Sequence, residues 1–381
     1  MQSDYKIIQS AVGDHSTFQI TKEESTSTYF NFYSVDLPER FKGLPLRWYF
    51  GILKHSFSDT PEEQYANILI NEARKFVIEI KKLANLPLVV ICNDNHIRLK
   101  DHLAFKKDMV FFLEKNDLQE DVVTRDIKNI PILLAAKSKF DSTDVPLMLS
   151  PYNPDSPAED WRFFGREKEL KEMVESGSNY FILGARKLGK TSLLKEAKRK
   201  LEEIGHQVYM IRVQDTTTIQ AVIDETARNL SASDYYQANK TAAQLGTNYL
   251  ESIIKRLKKH KKNLVLIYDE IGNVLAKNPK DGWQFMGTLR DISHQNEVRI
   301  FFSAFQETLL KQYSEFEGPF VNFGTTIKIR VFDKTEIEKL LVNPLSIWGD
   351  VGDKKLLNKL IRNKIGSHPL LLQYLGRLVF Q

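Results

Sequence analysis

The stretch Gly184-Ala185-Arg186-Lys187-Leu188-Gly189-Lys190-Thr191-Ser192 has the spacing of a phosphate-binding loop, in which two glycines are followed by a lysine and a hydroxyl residue. An apolar run typical of a strand, Tyr180 to Leu183, precedes it, and a helical pattern, Thr191 to Ile204, follows it. Strand, loop and helix in this order are the setting that such a loop requires. A glycine-rich turn without a ligand is the alternative, but it would not need these flanks.

The residue types of the loop suit a bound phosphate. Gly184 and Gly189 let the backbone turn and bring its N–H groups up to phosphate oxygens, and the following helix directs its positive end at the same anion. Lys190 would place a charge on the β- and γ-phosphates, and the Thr191 hydroxyl is positioned to ligate Mg²⁺. The predicted nucleotide-binding residues of the loop are Gly184, Lys187, Gly189, Lys190, Thr191 and Ser192.

A second apolar run, Asn263 to Glu270, ends in two acids. A phosphate loop requires a carboxylate on a neighbouring strand, and Asp269 is predicted to bind Mg²⁺ through its water shell. Glu270 is predicted to polarise the water that attacks the γ-phosphate. A strand that merely ends at a solvated turn is the alternative. We therefore assign Glu270 and Lys190 as catalytic residues, and Asp269 and Thr191 as metal-binding residues.

Strand-like and helical patterns alternate throughout the region around the loop. This alternation predicts an α/β fold with a parallel sheet covered by helices on both faces. One predicted strand lies between the phosphate loop and the acid pair, and such an insertion indicates the ATPase branch of phosphate-loop folds. The predicted strands are Tyr180 to Leu183, Val208 to Val213, Leu264 to Tyr268, Val298 to Ala304 and Thr325 to Val331, with helices such as Gly282 to His294 between them.

Four prolines among Ser, Asn and Asp residues mark a boundary in the chain between Pro146 and Trp161. Prolines at this density exclude both a helix and a central strand, so we interpret the segment as a linker. The part before it combines strand-like runs with an amphipathic helix, Pro61 to Leu83, which predicts an α/β or α+β domain. The strand-like runs are Tyr29 to Val35, Leu88 to Cys92 and Met109 to Leu113.

A group of titratable residues in this first domain offers a possible metal or acid–base site. No spacing among them matches a ligand motif, so a polar loop after a strand is the favoured interpretation. The residues are Asp94, His96, Asp101 and His102.

The chain has 381 residues, of which 42% are hydrophobic and 27% charged. This length is typical of roughly two to three domains, and the composition excludes disorder, collagen and a coiled coil as descriptions of the whole chain. Cys92 is the single cysteine, so no intramolecular disulfide or cysteine-ligated zinc site can form. The N-terminus lacks a signal pattern, and no apolar run approaches the ~20 residues that span a bilayer. We expect a cytoplasmic protein without a membrane partner.

Positive charge is concentrated in the second part of the chain. Residues 1–150 contain 19 Lys and Arg against 21 Asp and Glu, whereas residues 151–381 contain 35 against 28. A basic excess is compatible with a nucleic-acid partner. The densest basic run, Lys255 to Lys262, is better explained as a solvated helix end that complements the helix dipole, because no nucleic-acid motif accompanies it.

Two further motifs flank the phosphate loop and the acid pair. Phe163-Phe164-Gly165-Arg166-Glu167 lies before the loop, and Gly366-Ser367-His368-Pro369 opens a helix predicted from Leu370 to Phe380. With these motifs, residues 161–381 resemble the STAND and archaeal-type ATPases, which are similar to AAA+ proteins. The resemblance does not extend to the first part of the chain.

This resemblance implies that the nucleotide is ATP. It also implies that Phe164, Gly165 and Arg166 grip the base and the phosphates, and that Pro369 packs on the adenine. One residue more than the Gly-x-Pro pattern of the family separates Gly366 from Pro369.

The fourth predicted strand departs from the family pattern. Related ATPases place a polar γ-phosphate sensor at its end, and the run from Arg299 to Gln306 offers Ser303 and Gln306 there but no arginine. Ser303 is therefore the predicted sensor and the third catalytic residue. An arginine finger would come from Arg290 or from Arg330 in a neighbouring subunit, although each alone is more often a surface ion-pair partner.

The predicted layout is an N-terminal domain at 1–148, a proline-rich linker at 149–160, an ATPase core at 161–332 and a small helical lid at 333–381. Lys334 to Trp348 and Lys354 to Ile365 are the predicted lid helices. Because the chain ends at Gln381, directly after these first lid helices, the resemblance implies either a shortened chain or a minimal member of the group.

The resemblance implies a switch protein that binds Mg·ATP and hydrolyses it slowly. Its nucleotide state would control homo-oligomer assembly, or an output or protein-partner function of the N-terminal domain, as in signalling and anti-phage ATPases. The alternative is a DNA-handling AAA+ ATPase of the initiator or transposition-regulator type, motivated by the basic second part. A third hypothesis is a non-hydrolysing scaffold whose N-terminal domain is itself an enzyme. The switch is favoured because every identified motif serves nucleotide binding and none serves base readout.

Overall fold

The computed structural model describes the second part of the chain in long stretches and the first part in short ones. The stretches of the second part are 150–213, 217–231, 263–304, 323–348 and 366–380. Those of the first part are 2–12, 19–24, 27–37, 44–45, 47–54, 87–92 and 110–114, and a few short groups of residues lie between stretches.

The described residues of the first part form one helix and five strands: α1 (Gln2–Val12), β1 (Ile20–Lys22), β2 (Phe30–Asp36), β3 (Arg47–Leu53), β4 (Leu88–Cys92) and β5 (Val110–Glu114). The strands make one mixed sheet in the order β1-β2-β3-β4-β5. β2 pairs antiparallel with both of its neighbours, whereas β3, β4 and β5 run parallel to one another. The prediction of a separate α/β N-terminal region is therefore confirmed.

The sequence did not predict β3, which occupies the centre of this sheet. All of its residues except Arg47 are buried, so the polar alternation that marks a half-exposed strand is absent. Trp48 and Phe50 instead pack with Ile8 of α1 and with Phe111 of β5 in one apolar core.

Two predictions for the first part lie wholly or largely outside the described residues. Of the predicted helix Pro61 to Leu83, the structure describes residues 68, 71, 72, 75 and 76, which are helical. The polar group of Asp94, His96, Asp101 and His102 lies outside the described residues altogether.

The second part alternates strand and helix. Its elements are α2 (Glu167–Glu175), β6 (Tyr180–Leu183), α3 (Lys190–Glu203), β7 (Gln207–Arg212), α4 (Ile219–Ser231), β8 (Leu264–Asp269), α5 (Gly272–Lys277), α6 (Pro279–Asn296), β9 (Arg299–Ala304), β10 (Thr325–Lys328), α7 (Lys334–Trp348) and α8 (Pro369–Phe380). The sheet order is β10-β6-β9-β8-β7, and every pair is parallel. β9 lies between β6 and β8, and β7 is the inserted strand at the edge. The predicted α/β core with its parallel sheet and inserted strand is confirmed, whereas the helical lid at 333–381 stays a prediction.

Both faces of this sheet are buried, as expected of a parallel sheet. On one face, Tyr268 and Phe302 stack with ring centroids 5.6 Å apart, and Phe302 stacks on Phe181 at 5.5 Å. Successive side chains of a strand point to opposite faces, so Ile267 and Phe301 belong to the second core, beneath α3. The carboxyl ends of β6, β8 and β9 are thus fixed beside one another.

The chain divides into two compact units. The first comprises Met1–Asn153, Glu338–Lys364 and Leu372–Gln381, and the second comprises Pro154–Ile337 and Ile365–Leu371. The proposed domain boundaries at 148, 160 and 332 stay predictions. None of the helices described by the structure is long and apolar enough to cross a membrane.

Within the first unit, Tyr152 is buried although it lies in the segment predicted as a linker. Its hydroxyl donates a hydrogen bond of 3.0 Å to the Leu341 carbonyl. Its ring occupies the space beside Gly376, where an added Cβ would lie 2.4 Å from a ring carbon. The Asn153 amide donates to the Gln373 side chain at 3.0 Å. Residues 150–159 form no helix or strand, in agreement with their prolines.

Candidate nucleotide-binding site

The phosphate-loop sequence forms the turn between β6 and α3. An added Cβ on Gly184 would lie 2.7 Å from the Ile329 carbonyl oxygen, so this position has no room for a side chain. Gly189 caps α3 with a φ of +95°, a conformation that glycine adopts readily, and the space at its α-carbon is open. The positive end of α3 is therefore open at Gly189, where a phosphate could approach the helix.

Lys190 is the first residue of α3 and is only 5% exposed. Its Nζ donates hydrogen bonds to the carbonyls of Gly184 at 2.8 Å and Ala185 at 2.9 Å. Burial lowers the pKa of Lys190, and the negative charges of Glu270 and Asp269 oppose this shift. Among the described residues, no carboxylate lies within 4 Å of the amine, so its direct hydrogen-bond partners are neutral carbonyls and the charges of Glu270 and Asp269 act from further away. A phosphate group would supply the missing anion.

Asp269 ends β8 beside the loop and is 6% exposed. One carboxylate oxygen accepts a hydrogen bond from the Thr191 hydroxyl at 2.9 Å, and the other accepts one from the Ser303 hydroxyl at 2.5 Å. The structure thus brings together Thr191 and Asp269, the two residues that the sequence assigned to the metal.

The oxygen atoms at this point suit Mg²⁺. Carboxylate and hydroxyl oxygens are the hard ligands that Mg²⁺ prefers, and it usually binds through one or two such groups together with phosphates and water. Because the Thr191 proton is donated to Asp269, the lone pairs of the Thr191 oxygen remain available to a metal. Thr191 and Asp269 would hold the ion.

Glu270 follows β8 in a left-handed conformation, with a φ of +61°. Its amide donates a hydrogen bond of 2.8 Å to the Ser303 hydroxyl oxygen. The side chain is partly exposed, and its charge acts on Lys190. The predicted catalytic residues Glu270, Lys190 and Ser303 therefore lie around one carboxylate, that of Asp269.

The motif Phe163 to Glu167, which precedes the phosphate loop in the sequence, contacts the segment that follows β10. Gly165 and Arg166 both have positive φ angles, 76° and 63°, and an added Cβ on Gly165 would lie 3.2 Å from the Phe332 ring. The Arg166 guanidinium lies 4.6 Å from the centroid of the same ring, donates to the Arg330 carbonyl, and donates to Glu336 at 3.2 Å. Burial lowers the pKa of Arg166, although Glu336 opposes the shift.

The beginning of the lid lies against the same segment. The Phe332 amide donates a hydrogen bond of 2.9 Å to the Ser367 carbonyl, and Pro369, the first residue of α8, is buried. Two nitrogen atoms of these motifs, Arg166 Nε and His368 Nδ1, are buried without a hydrogen-bond partner in the part of the chain that the structure describes. Buried polar atoms are normally satisfied, so both are suited to a ligand.

Sequence reasoning missed the roles of Phe332 and Glu336. Glu336 forms a capping box with Asp333 at the start of α7. The Asp333 amide donates a hydrogen bond of 2.8 Å to the Glu336 carboxylate, and the Glu336 amide donates one of 2.9 Å to the Asp333 carboxylate. The spacing of Asp333 and Glu336 before an apolar run is a local signal for this helix start. Nothing local signals the contact with Arg166.

We expect Glu336→Gln to lower the free energy of unfolding by about 1–2 kcal/mol, because it removes the nearer of the two carboxylates beside the buried Arg166 guanidinium and leaves only Glu169, at 3.8 Å. Glutamine keeps the size of the side chain but has one acceptor oxygen for the Asp333 amide and Arg166 together, so the effect includes a lost hydrogen bond as well as the lost charge. The measurement is urea denaturation without nucleotide, with Glu338→Gln on the exposed side of the same helix as the matched control. Equal midpoints for the two variants would show that the pair contributes nothing to stability.

The remaining predicted residues have varied surroundings. Ser192 accepts a hydrogen bond of 3.0 Å from the Ala158 amide. Lys187 is exposed on the loop with a φ of 63°. Arg290 lies 3.7 Å from Asp291, an ion pair of the kind expected for a surface arginine.

Three predictions fall outside the described residues, in whole or for most of their length. These are the sensor candidate Gln306, the basic run beyond Lys255 and the lid helix Lys354 to Ile365.

Solved structures from several organisms are similar to the chain. A Walker-type ATPase of Pyrococcus abyssi is 16% identical, with 60% of this chain and 70% of that chain covered and a TM-score of 0.49. The ORC2 protein of Aeropyrum pernix, solved as ADPNP and ADP complexes, is 13% identical, with 60% and 64% covered and a TM-score of 0.47. AMPPCP-bound DnaA of Aquifex aeolicus is 17% identical, with 57% and 63% covered and a TM-score of 0.40. The chain thus spans less than two thirds of the ORC2 and DnaA chains.

Comparison with curated protein sequences and with family models gave different results. None of the curated proteins matches the chain significantly. The model of an ATPase domain predominantly from Archaea matches residues 163–374, which is more than half of the chain and includes the phosphate loop, Asp269, Glu270 and Ser303. The chain belongs to this family of ATPase domains.

Proposed function

We propose that the chain binds ATP with Mg²⁺ at the loop between β6 and α3 and hydrolyses it. The observation that carries the proposal is the buried amine of Lys190, which lies beside the Thr191–Asp269 pair but donates its hydrogen bonds to neutral carbonyls. A charged amine without a directly bonded anion is costly to bury, and a triphosphate would offset that cost.

The roles of the residues follow from their positions. Lys190 would exchange its two carbonyl contacts for oxygens of the β- and γ-phosphates, while the loop amides hold the same groups. When bound, Mg²⁺ would neutralise charge on the phosphates. Glu270, partly exposed beyond the end of β8, would accept a proton from the attacking water.

We propose that Phe332 and its neighbours receive the adenosine. The Arg166 guanidinium lies over the Phe332 ring, and the Phe332 amide donates to Ser367, which directly precedes His368 and Pro369; Arg166 Nε and His368 Nδ1 are buried without a partner among the described residues. An adenine ring presents both an apolar face and hydrogen-bonding nitrogens, which suits an aromatic ring bordered by unsatisfied polar atoms. This proposal agrees with the roles that the resemblance implies for Phe164, Gly165, Arg166 and Pro369.

A nucleotide-controlled switch is the function that we infer from this arrangement. Residues 329–332 contact Gly184 of the phosphate loop at one end and Ser367 of the lid at the other. A shift of the loop upon phosphate binding would therefore reach the lid through one short, continuous segment. The lid would in turn control self-assembly, or a protein partner of the N-terminal region.

The switch predicts a nucleotide-dependent change of shape or assembly. The full chain with Mg²⁺ and a non-hydrolysable ATP analogue should differ in sedimentation coefficient from the chain with Mg·ADP, because only the analogue carries a γ-phosphate. Sedimentation velocity at several protein concentrations separates a change of shape from self-association. Identical profiles under saturating nucleotide would contradict the switch while leaving nucleotide binding in place.

A DNA-handling ATPase is the second candidate, favoured by the basic excess of the second part of the chain. Its signature would be duplex binding whose affinity falls steeply with salt, with a log–log slope of several units. Negligible affinity at ~50 mM salt, with and without ATP, would remove this candidate.

A further inference from the structure

The geometry points to Ser303 as a positioning residue that orients Asp269 and Glu270, in place of the γ-phosphate sensor that the sequence predicts. This inference rests on the proposed Mg·ATP site. If Ser303 positions Asp269, it affects binding of the metal, which accompanies ADP as well as ATP. A γ-phosphate sensor would affect only the binding of ATP, because ADP lacks that group.

Ser303 lies in β9, beside β8, and is fully buried. Its hydroxyl donates to the Asp269 carboxylate at 2.5 Å and accepts from the Glu270 amide at 2.8 Å. Its carbonyl accepts from the Ile271 amide at 3.0 Å. One residue of β9 thus holds three consecutive residues where β8 ends.

The donor capacity of a hydroxyl decides between the two roles. A serine has one proton to donate, and phosphate oxygens accept hydrogen bonds but do not donate them. The Ser303 proton is already committed to Asp269, and one of its lone pairs is committed to the Glu270 amide. Contact with a γ-phosphate would require Ser303 to release the carboxylate that positions the metal.

The same contacts explain the unusual backbone of Glu270. A non-glycine residue in the left-handed region is strained and persists only where its surroundings hold it. The hydrogen bonds from Glu270 and Ile271 to Ser303 provide that support. They lead the chain away from the line of β8 immediately after Asp269.

Asp269 therefore has a fixed orientation with two distinct neighbours. Thr191 donates to one of its oxygens and would share the metal with it, whereas Ser303 holds the other oxygen from the protein interior. A group that orients a metal ligand in this way typically contributes a factor of ~10–100 to metal affinity.

The test is the Mg²⁺ dependence of ADP binding by the full chain with Ser303→Ala. Without the hydroxyl, Asp269 loses an anchor, so ADP binding in Mg²⁺ should weaken about tenfold. ADP binding in EDTA should stay within about twofold, because the loop amides and Lys190 contact phosphate without the metal. Isothermal calorimetry with ADP, with and without Mg²⁺, measures both quantities.

Ser293→Ala is the matched control. Ser293 is also a buried serine of the second unit, and its hydroxyl accepts one hydrogen bond of 3.0 Å from Asn179. Asn179 precedes β6, so this control lies at the amino end of the sheet, opposite the loop. It should leave the Mg²⁺ dependence of ADP binding unchanged. If Ser303→Ala does not fold, Ser303→Cys retains a weak donor and should show a smaller loss in the same direction.

The outcomes separate the two roles. ADP binding that weakens in Mg²⁺ but not in EDTA supports the positioning role. Unchanged Mg·ADP binding together with weaker binding of Mg²⁺ and a non-hydrolysable ATP analogue would overturn it, because Ser303 would then contact the γ-phosphate. If the wild-type chain binds neither nucleotide, the proposed function itself fails, and this inference fails with it.

Discussion

Lys190→Ala is expected to weaken Mg·ATP binding by about 100-fold or more, the largest binding defect of any single substitution proposed for this chain. Charge-assisted hydrogen bonds from an ammonium to phosphate contribute about 1.5–3 kcal/mol each, and two such contacts are lost. The loop amides would remain but cannot replace a full positive charge. Calorimetric titration of the variant with Mg·ATP measures the loss directly.

The stability of Lys190→Ala distinguishes a binding defect from unfolding. In the structure the Lys190 amine is buried, with two carbonyl partners and no counter-ion among the described residues, so its removal should not lower the melting temperature without nucleotide. Lys198→Ala, on the same helix and paired with Glu202, is the matched control and should bind Mg·ATP normally. If Lys190→Ala binds like the wild type, the assignment of the phosphate site is wrong.

Glu270→Gln is expected to lower kcat for ATP hydrolysis by about 100-fold or more while ATP affinity changes little. General-base catalysis contributes factors of about 100 to 10,000, and glutamine retains the size of glutamate but cannot accept the proton from water. The backbone contact to Ser303 does not involve the Glu270 side chain, so the end of β8 should keep its shape. Phosphate release under saturating Mg·ATP, together with a binding isotherm, separates the two effects.

The control for this variant is Glu175→Gln at the end of α2, where the carboxylate is exposed and 4.0 Å from Lys171. It should turn over at the wild-type rate. Equal turnover by Glu270→Gln would assign the base to another residue. Tight Mg·ATP binding without hydrolysis by the wild type would instead favour the non-hydrolysing scaffold.

The phosphate loop and the acid pair could be predicted because their signal is local. The spacing from Gly184 to Thr191 and the apolar run before Asp269 are both contained in short stretches of sequence. The parallel sheet then places the two stretches together, since β9 bridges β6 and β8. The sequence predicted the parallel sheet but not its order, because it placed the acid pair on a strand next to that of the loop, whereas β9 lies between β6 and β8.

The hydrogen-bond partners within the site could not be predicted in the same way. Ser303 was expected to face the phosphate, because its place on the fourth strand resembles a sensor position, but the direction of a hydroxyl depends on atoms from another strand. Arg166 and Glu336 are far apart in the chain, and no spacing rule connects them. Their pairing follows from the path of the chain after β10, which is a tertiary property.

The strand β3 was missed for a different reason. Sequence periodicity detects a contrast between buried and exposed positions, and a central strand with both faces covered has little contrast. In Arg47–Leu53 the apolar residues are nearly continuous, so the run resembles a short piece of any buried element. β1, with three residues, is too short to give a periodic signal.

The placement of Tyr152 beside Gly376 has a practical consequence for protein engineering. A fragment that starts after Tyr152 would leave an empty space beside Gly376 of α8 and would lose the hydrogen bond from the tyrosine hydroxyl to the Leu341 carbonyl. Expression boundaries chosen from the proline pattern alone would fall on this tyrosine. A fragment intended to retain the C-terminal helix in its native packing should therefore begin upstream of Ser150.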